Sequence, residues 1–176
     1  MTFRQILEKT LDIIGDDDIC LDTESKKRKR LMASANMIYH ELTTEYVHLK
    51  NKEDLLFEDK RLYFSAFSKK VKDILGVYVK GESIPFKLYP LHIEADIEGI
   101  AEVRYIYHAD ELGLEDDVTL PPQYTSFVLA NGVASEYFYR SGLTDEAIFY
   151  KNRYDTAVLN LSRIRKGVTI KARRLI

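Results

Sequence analysis

Tryptophan is absent from this 176-residue chain, and cysteine occurs once, as Cys20. A lone thiol excludes a disulfide within the chain and any zinc site built from cysteines, and it fits a reducing compartment. Neighbouring acids are expected to raise the Cys20 thiol pKa, the wrong direction for a nucleophile. The four histidines, His40, His48, His92 and His108, show no HExxH or comparable ligand spacing and read as surface residues. Nucleotide-binding glycine loops and the GxSxG elbow are missing. The acidic stretch GDDD near Asp22 and Glu24 lacks the spaced ligands and central glycine of a calcium loop. No apolar run approaches the roughly 18 residues of a membrane span. The N-terminal MTFRQILEKTLDIIGDDD has neither the apolar stretch of a signal peptide nor the basic character of a transit peptide. The expectation is a soluble protein that does not use the standard secretory route, with no cofactor, no metal and no catalytic residues.

What is present is globular: 45% apolar residues, twelve tyrosines and a net charge of −2. The near-neutral total conceals segregation along the chain. Residues 92–117 hold nine acids against the single base Arg104, whereas residues 163–176 hold six bases and no acid. Paired carboxylates for glycoside hydrolysis are conceivable in the acidic stretch, but its acids are spread along strands and a loop, without a tryptophan platform. An exposed acidic face is the preferred reading. A second basic run, KKRKR at 26–30, falls at the start of a predicted helix, which spreads five successive bases around its circumference.

Apolar spacing predicts a first helix through Phe3, Ile6, Leu7, Leu11 and Ile14. Thr2 and Gln5 supply a capping box and Gly15 a terminator. A longer helix is expected from about Thr23 to Lys50, with Leu31, Ile38 and Leu42 along one side. From about 60 to 110 the period shortens, β-branched and aromatic residues dominate, and KGES at 80–83 reads as a hairpin turn. Two further helices follow around SGLT, with Gly142 ending one and Thr144 capping the next. Gly132 dissents, because glycine inside a helix weakens it. The fold class expected is α+β. A helical bundle of two N-terminal helices and a C-terminal helical hairpin carries an inserted small, mostly antiparallel sheet. The chain reads as a single domain, 1–176, with a helical part at 1–50 and 123–166, a β-rich insertion at about 55–120 and a C-terminal arm at 167–176.

In this order the elements resemble a known family. The stretches VRYIYHADELGLEDDVTLPPQY at 103–124, VASEYFYRSGLTDEAIFYKNRYDTAV at 133–158 and SRIRK at 162–166, with RLYFSAF and VKDILGVYV before them, are similar to head–tail connector (adaptor) proteins of tailed bacteriophages. The resemblance implies a noncatalytic virion part, made in the cytoplasm of the bacterial host. Its copies form a ring, commonly dodecameric, that closes on its template, so the isolated subunit is monomeric. The ring docks on the portal protein, extends the channel through which DNA passes, and receives a downstream tail protein; no membrane is involved. By position, the resemblance makes the C-terminal arm the portal-docking element. The partner-binding residues, toward portal or adjacent subunit, are then Arg165, Lys166, Val168, Ile170, Lys171, Arg173 and Arg174. Other classes remain open at this point: a different neck or tail-completion protein, a small nucleic-acid-binding regulator using the basic runs, or an enzyme with an unrecognised site.

Overall fold

Thr2 starts the first helix as the sequence predicts. In the computed structural model, which describes residues 1–16 and 18–165, helix α1 spans Phe3–Ile14. The Thr2 hydroxyl accepts from the Gln5 amide, the Gln5 side chain accepts from the Thr2 amide, and Gly15 closes the helix in the left-handed conformation. The two earliest helical amides are satisfied from far along the chain: Phe3 donates to the Asp116 carbonyl at 2.9 Å and Arg4 to that of Leu114 at 3.0 Å. All the orphan donors that open a helix thus find partners here.

Helix α2 is Lys26–Glu45, shorter at both ends than expected. Ser25 begins it, its hydroxyl accepting from the Arg28 amide at 3.0 Å. Lys50, expected in this helix, instead opens strand β1, Lys50–Phe57. The other strands are β2 (Arg61–Tyr63), β3 (Val71–Val79), β4 (Glu82–Ile84), β5 (Phe86–Leu88), β6 (His92–Ala95) and β7 (Gly99–Tyr107). Helices α3, Ser126–Arg140, and α4, Thr144–Arg165, complete the order.

The described residues are therefore mixed α and β, with four helices and two small antiparallel sheets. This differs from the expected bundle carrying one inserted sheet. One sheet has the order β1-β7-β3-β4, the other β2-β6-β5. Pro85, between β4 and β5, has no N–H to continue a ladder, and the chain changes sheet there. The chain divides into two compact units, Met1–Glu41 with the chain from Glu111 onward, and Leu42–Asp110.

In the unit of residues 42–110, Phe57, Leu62, Val77, Ile93, Val103 and Tyr105 make one core drawn from both sheets. The hairpin predicted at 80–83 joins β3 to β4, with Lys80 and Gly81 both at positive φ, the geometry such a tight turn demands. In the other unit, α3 packs against α4 and α1. Leu129, Ala130, Val133 and Ala134 of α3 are buried with Ala147, Tyr154 and Val158 of α4. Gly132 now has its reason. A β-carbon there would lie 2.9 Å from the Tyr154 ring and 3.0 Å from Ile38, closer than atoms pack. The helix-weakening residue permits close approach of three helices.

Candidate functional site

Of the arm residues, Arg165 is the last residue of α4, and its side chain lies outside the described part. Lys166, Val168, Ile170, Lys171, Arg173 and Arg174 lie outside the described residues altogether.

Folding brings bases to part of the acidic stretch. Within the acidic stretch, Asp96 pairs with Lys60 at 2.6 Å and Asp110 with Lys69 at 2.9 Å. Glu102 meets both Lys52 and Arg104, and Glu115 meets Arg4 at 2.6 Å. Four of the nine acids in the acidic stretch thus have a basic neighbour. The basic run behaves likewise: Lys27 lies 2.9 Å from Asp16 and 3.2 Å from Asp18, and Lys29 lies 3.6 Å from Glu24. Hydrogen bonds from Lys27 hold the Asp16 carboxyl below its usual range, and Asp16 in turn raises Lys27. Exposed pairs like these each contribute about 0–1 kcal/mol, against about 1.5–3 for one buried leucine. They balance the surface more than they hold the fold.

The nearest approach to chemistry is a cluster that the sequence does not announce. The Glu53 carboxylate accepts hydrogen bonds from the Tyr105 hydroxyl, from the Ser68 hydroxyl at 2.6 Å, from the Ser68 amide at 3.1 Å and from the Asn51 carboxamide at 2.9 Å. Burial opposes ionisation of Glu53, but the bonds donated by Ser68 and Tyr105 outweigh it and hold the carboxyl below its ordinary value. Burial, and then the bond to Glu53, raise the Tyr105 phenol. A carboxylate so saturated with donors is a poor proton acceptor. Its role is to tie Ser68 to the larger sheet. The alternation Asn51, Glu53 is the only trace of it in the sequence, and it became meaningful only once β1 was a strand.

Among the described residues no group of three or more histidine, cysteine, aspartate or glutamate side chains is placed to hold a metal ion, and no helix is long and apolar enough to cross a membrane. The Cys20 thiol departs from expectation. The Thr23 hydroxyl donates to it at 3.6 Å, and with the backbone amides of Asp22 and Thr23 it lowers the thiol pKa, outweighing the Asp22 charge. Local hydrogen bonds beat the nearby acids.

What remains is exposed apolar surface. On the three-stranded sheet, Tyr63, His92 and Tyr89 form a row of rings: Tyr89 stacks on His92 at 4.8 Å and Tyr63 lies 5.6 Å away on the other side. Leu91 beside them is 72% exposed. On the helical unit, Phe127, Ile148, Phe149 and Leu159 are exposed. An open groove of about 560 Å³ runs along α4, lined by Phe149, Asn152, Arg153, Thr156, Ala157 and Asn160. Ala157, half-buried, forms part of its floor. The exposed Arg153 guanidinium sits 5.7 Å from the centre of the Phe127 ring and 5.6 Å from that of Phe149, at the outer range of a cation–π contact.

Comparison with protein-family models gave no matching family, and comparison with curated proteins gave no matching relative.

Proposed function

We propose that this chain is a noncatalytic subunit of the head–tail connector of a tailed bacteriophage, an adaptor that sits in a ring beneath the portal, extends the DNA channel and offers an attachment site to tail components. The observation that carries the reading is the exposed apolar patch on the outward side of α4. Its outward residues include Ile148 and Phe149, each 55% exposed, beside Phe127 at 48%. Such a face on a helix that already buries Ala147, Tyr154 and Val158 on its other side suits contact with another protein. The aromatic row Tyr63–His92–Tyr89 gives the other unit a surface of its own. A subunit held in a ring and contacted by different proteins needs more than one such surface.

The order of elements, from the N-terminal helices through the strands to the closing pair of helices and a basic tail, supports the same reading through its resemblance to adaptors. The regulator alternative draws on KKRKR and the C-terminal bases; within that run Lys27 and Lys29 are engaged by Asp16, Asp18 and Glu24.

The test is co-expression with the portal protein of the same genome. The full chain is expected to co-purify with the portal and to appear as a ring beneath it in electron micrographs. Removal of residues 167–176 is expected to leave the circular dichroism spectrum unchanged and to abolish attachment. A full chain that shows no affinity for the portal overturns the proposal.

A further inference from the structure

In the helical unit, the carboxyl ends of α1 and α3 and the amino end of α2 border an open cavity of about 440 Å³. Its wall is apolar at Ile14, Phe138 and Leu143 and carries three cations, Lys26, Lys27 and Arg30. Lys27 is engaged by Asp16 at 2.9 Å and by Asp18 at 3.2 Å. Lys26 and Arg30 meet no carboxylate among the described residues, and the Arg30 guanidinium donates to the Ser141 hydroxyl at 3.2 Å. Nor do they serve the end of α3. The Phe138 carbonyl accepts from the Leu143 amide at 3.0 Å and the Tyr137 carbonyl from the Ser141 hydroxyl at 2.8 Å. Lys26 and Arg30 are four residues apart at the start of α2, so they leave one face of the helix about 5–6 Å from each other.

We infer that this cavity binds a small phosphate monoester, with the phosphate between Lys26 and Arg30 and its organic body against Ile14, Phe138 and Leu143. Charge decides for phosphate: a monoester carries about −1.5 to −2 near neutrality and matches both cations, whereas a carboxylate leaves one unmatched. The guanidinium fork of Arg30 suits two phosphate oxygens at once. Lys26 adds its charge at the end of α2 where the helix dipole already favours an anion. Asp16, the acid of the lining, is offset by Lys27. The volume is at the lower end of the range for small-molecule pockets, about 300–1,000 Å³, and suits a phosphate carried on a single ring. The site stands independently of the connector reading.

The experiment titrates phenyl phosphate into the isotope-labelled full chain near neutral pH and follows the amide spectrum. Saturable shifts are expected at residues 14–16, 26–30 and 137–143. Arg30→Gln and Lys26→Gln are each expected to weaken binding about fivefold or more. Leu143→Ala is expected to weaken phenyl phosphate about threefold or more and to leave inorganic phosphate unchanged, because only the ring reaches the apolar wall. Inorganic phosphate, which lacks the ring, and benzoate, which lacks the second charge, are each expected to bind about fivefold or more weakly than phenyl phosphate. The amide spectrum of each variant confirms that the fold is intact. Inorganic phosphate that binds as well as phenyl phosphate means an adventitious ion only and overturns the inference. So does the absence of saturable shifts at the cavity, or binding that survives Arg30→Gln or Lys26→Gln unchanged.

Discussion

The Asn36 carboxamide grips the backbone of Leu112 from both sides: its nitrogen donates to the Leu112 carbonyl at 3.0 Å and its oxygen accepts from the Leu112 amide at 2.8 Å. A side chain of α2 thereby imitates one rung of a β-ladder and fixes the start of the segment that leads to α3. Replacing Asn36 with leucine leaves both backbone groups without a protein partner. The expected loss is about 1–3 kcal/mol of unfolding free energy, measured by urea denaturation of the full chain. Aspartate at this position keeps the acceptor and loses the donor, so Asn36→Asp is expected to fall between the two.

Gly132→Ala sets two effects against each other. Alanine improves helix propensity by about 1 kcal/mol, but its β-carbon meets Tyr154 and Ile38 at 2.9 and 3.0 Å. Both neighbours are buried, at 0% and 3% exposure, and have little room to give. Overpacking of this kind costs about 1–3 kcal/mol, so the variant is expected to have a lower melting temperature than the wild type. An increase would show that α3 and α4 separate freely.

Glu53 makes stability depend on pH with a definite sign. Its carboxyl is held below the ordinary value in the folded chain, so the unfolded chain takes up its proton first as pH falls. The stabilisation is fully present above the unfolded pKa of about 4.3 and disappears as pH drops through the lower folded value. Glu53→Gln is expected to cost about 1–2 kcal/mol near neutrality and to flatten the fall in stability below about pH 5. Chemical denaturation repeated across that range reads both effects.

Tight binding to DNA is not expected of the isolated chain. Lys27 and Lys29 already face acids, and the proposed connector role calls for no strong phosphate contacts. Fluorescence anisotropy with duplex DNA is expected to give weak binding at low salt. A protein using six or more phosphate contacts would instead lose about a thousandfold or more in affinity between 50 and 200 mM salt.

Local features were legible and distant ones were not. Thr2, Gln5 and Gly15 define α1 through contacts three or four residues apart, and Lys80–Gly81 define a turn by backbone preference alone. Strand β1, in contrast, reads KNKEDLLF, with Lys50, Lys52 and Asp54 exposed. Its extended form comes from pairing with β7, where Lys50 faces Ile106 and Phe57 faces Gly99, some fifty residues away in the chain. Gly132 was visible only as a cost, because its benefit lies in Ile38 and Tyr154. The segregated charges misled for the same reason: Arg4 finds Glu115 across 111 positions. The tyrosines divide between core and surface. Tyr105, Tyr124 and Tyr154 are fully buried, whereas Tyr63, Tyr89 and Tyr139 are exposed.

The stitching of the N-terminus to residues 114–118 also dictates an order of events during synthesis. Phe3 and Arg4 donate to carbonyls at 116 and 114, and the Met1 carbonyl accepts from Val118. The first turn of α1 therefore waits for residues 114–118 to be made before it is complete. The unit Leu42–Asp110 is continuous in the chain and has all its strands in hand earlier. Translation thus delivers every strand of the sheet unit while α1 is still without its partners at 114–118.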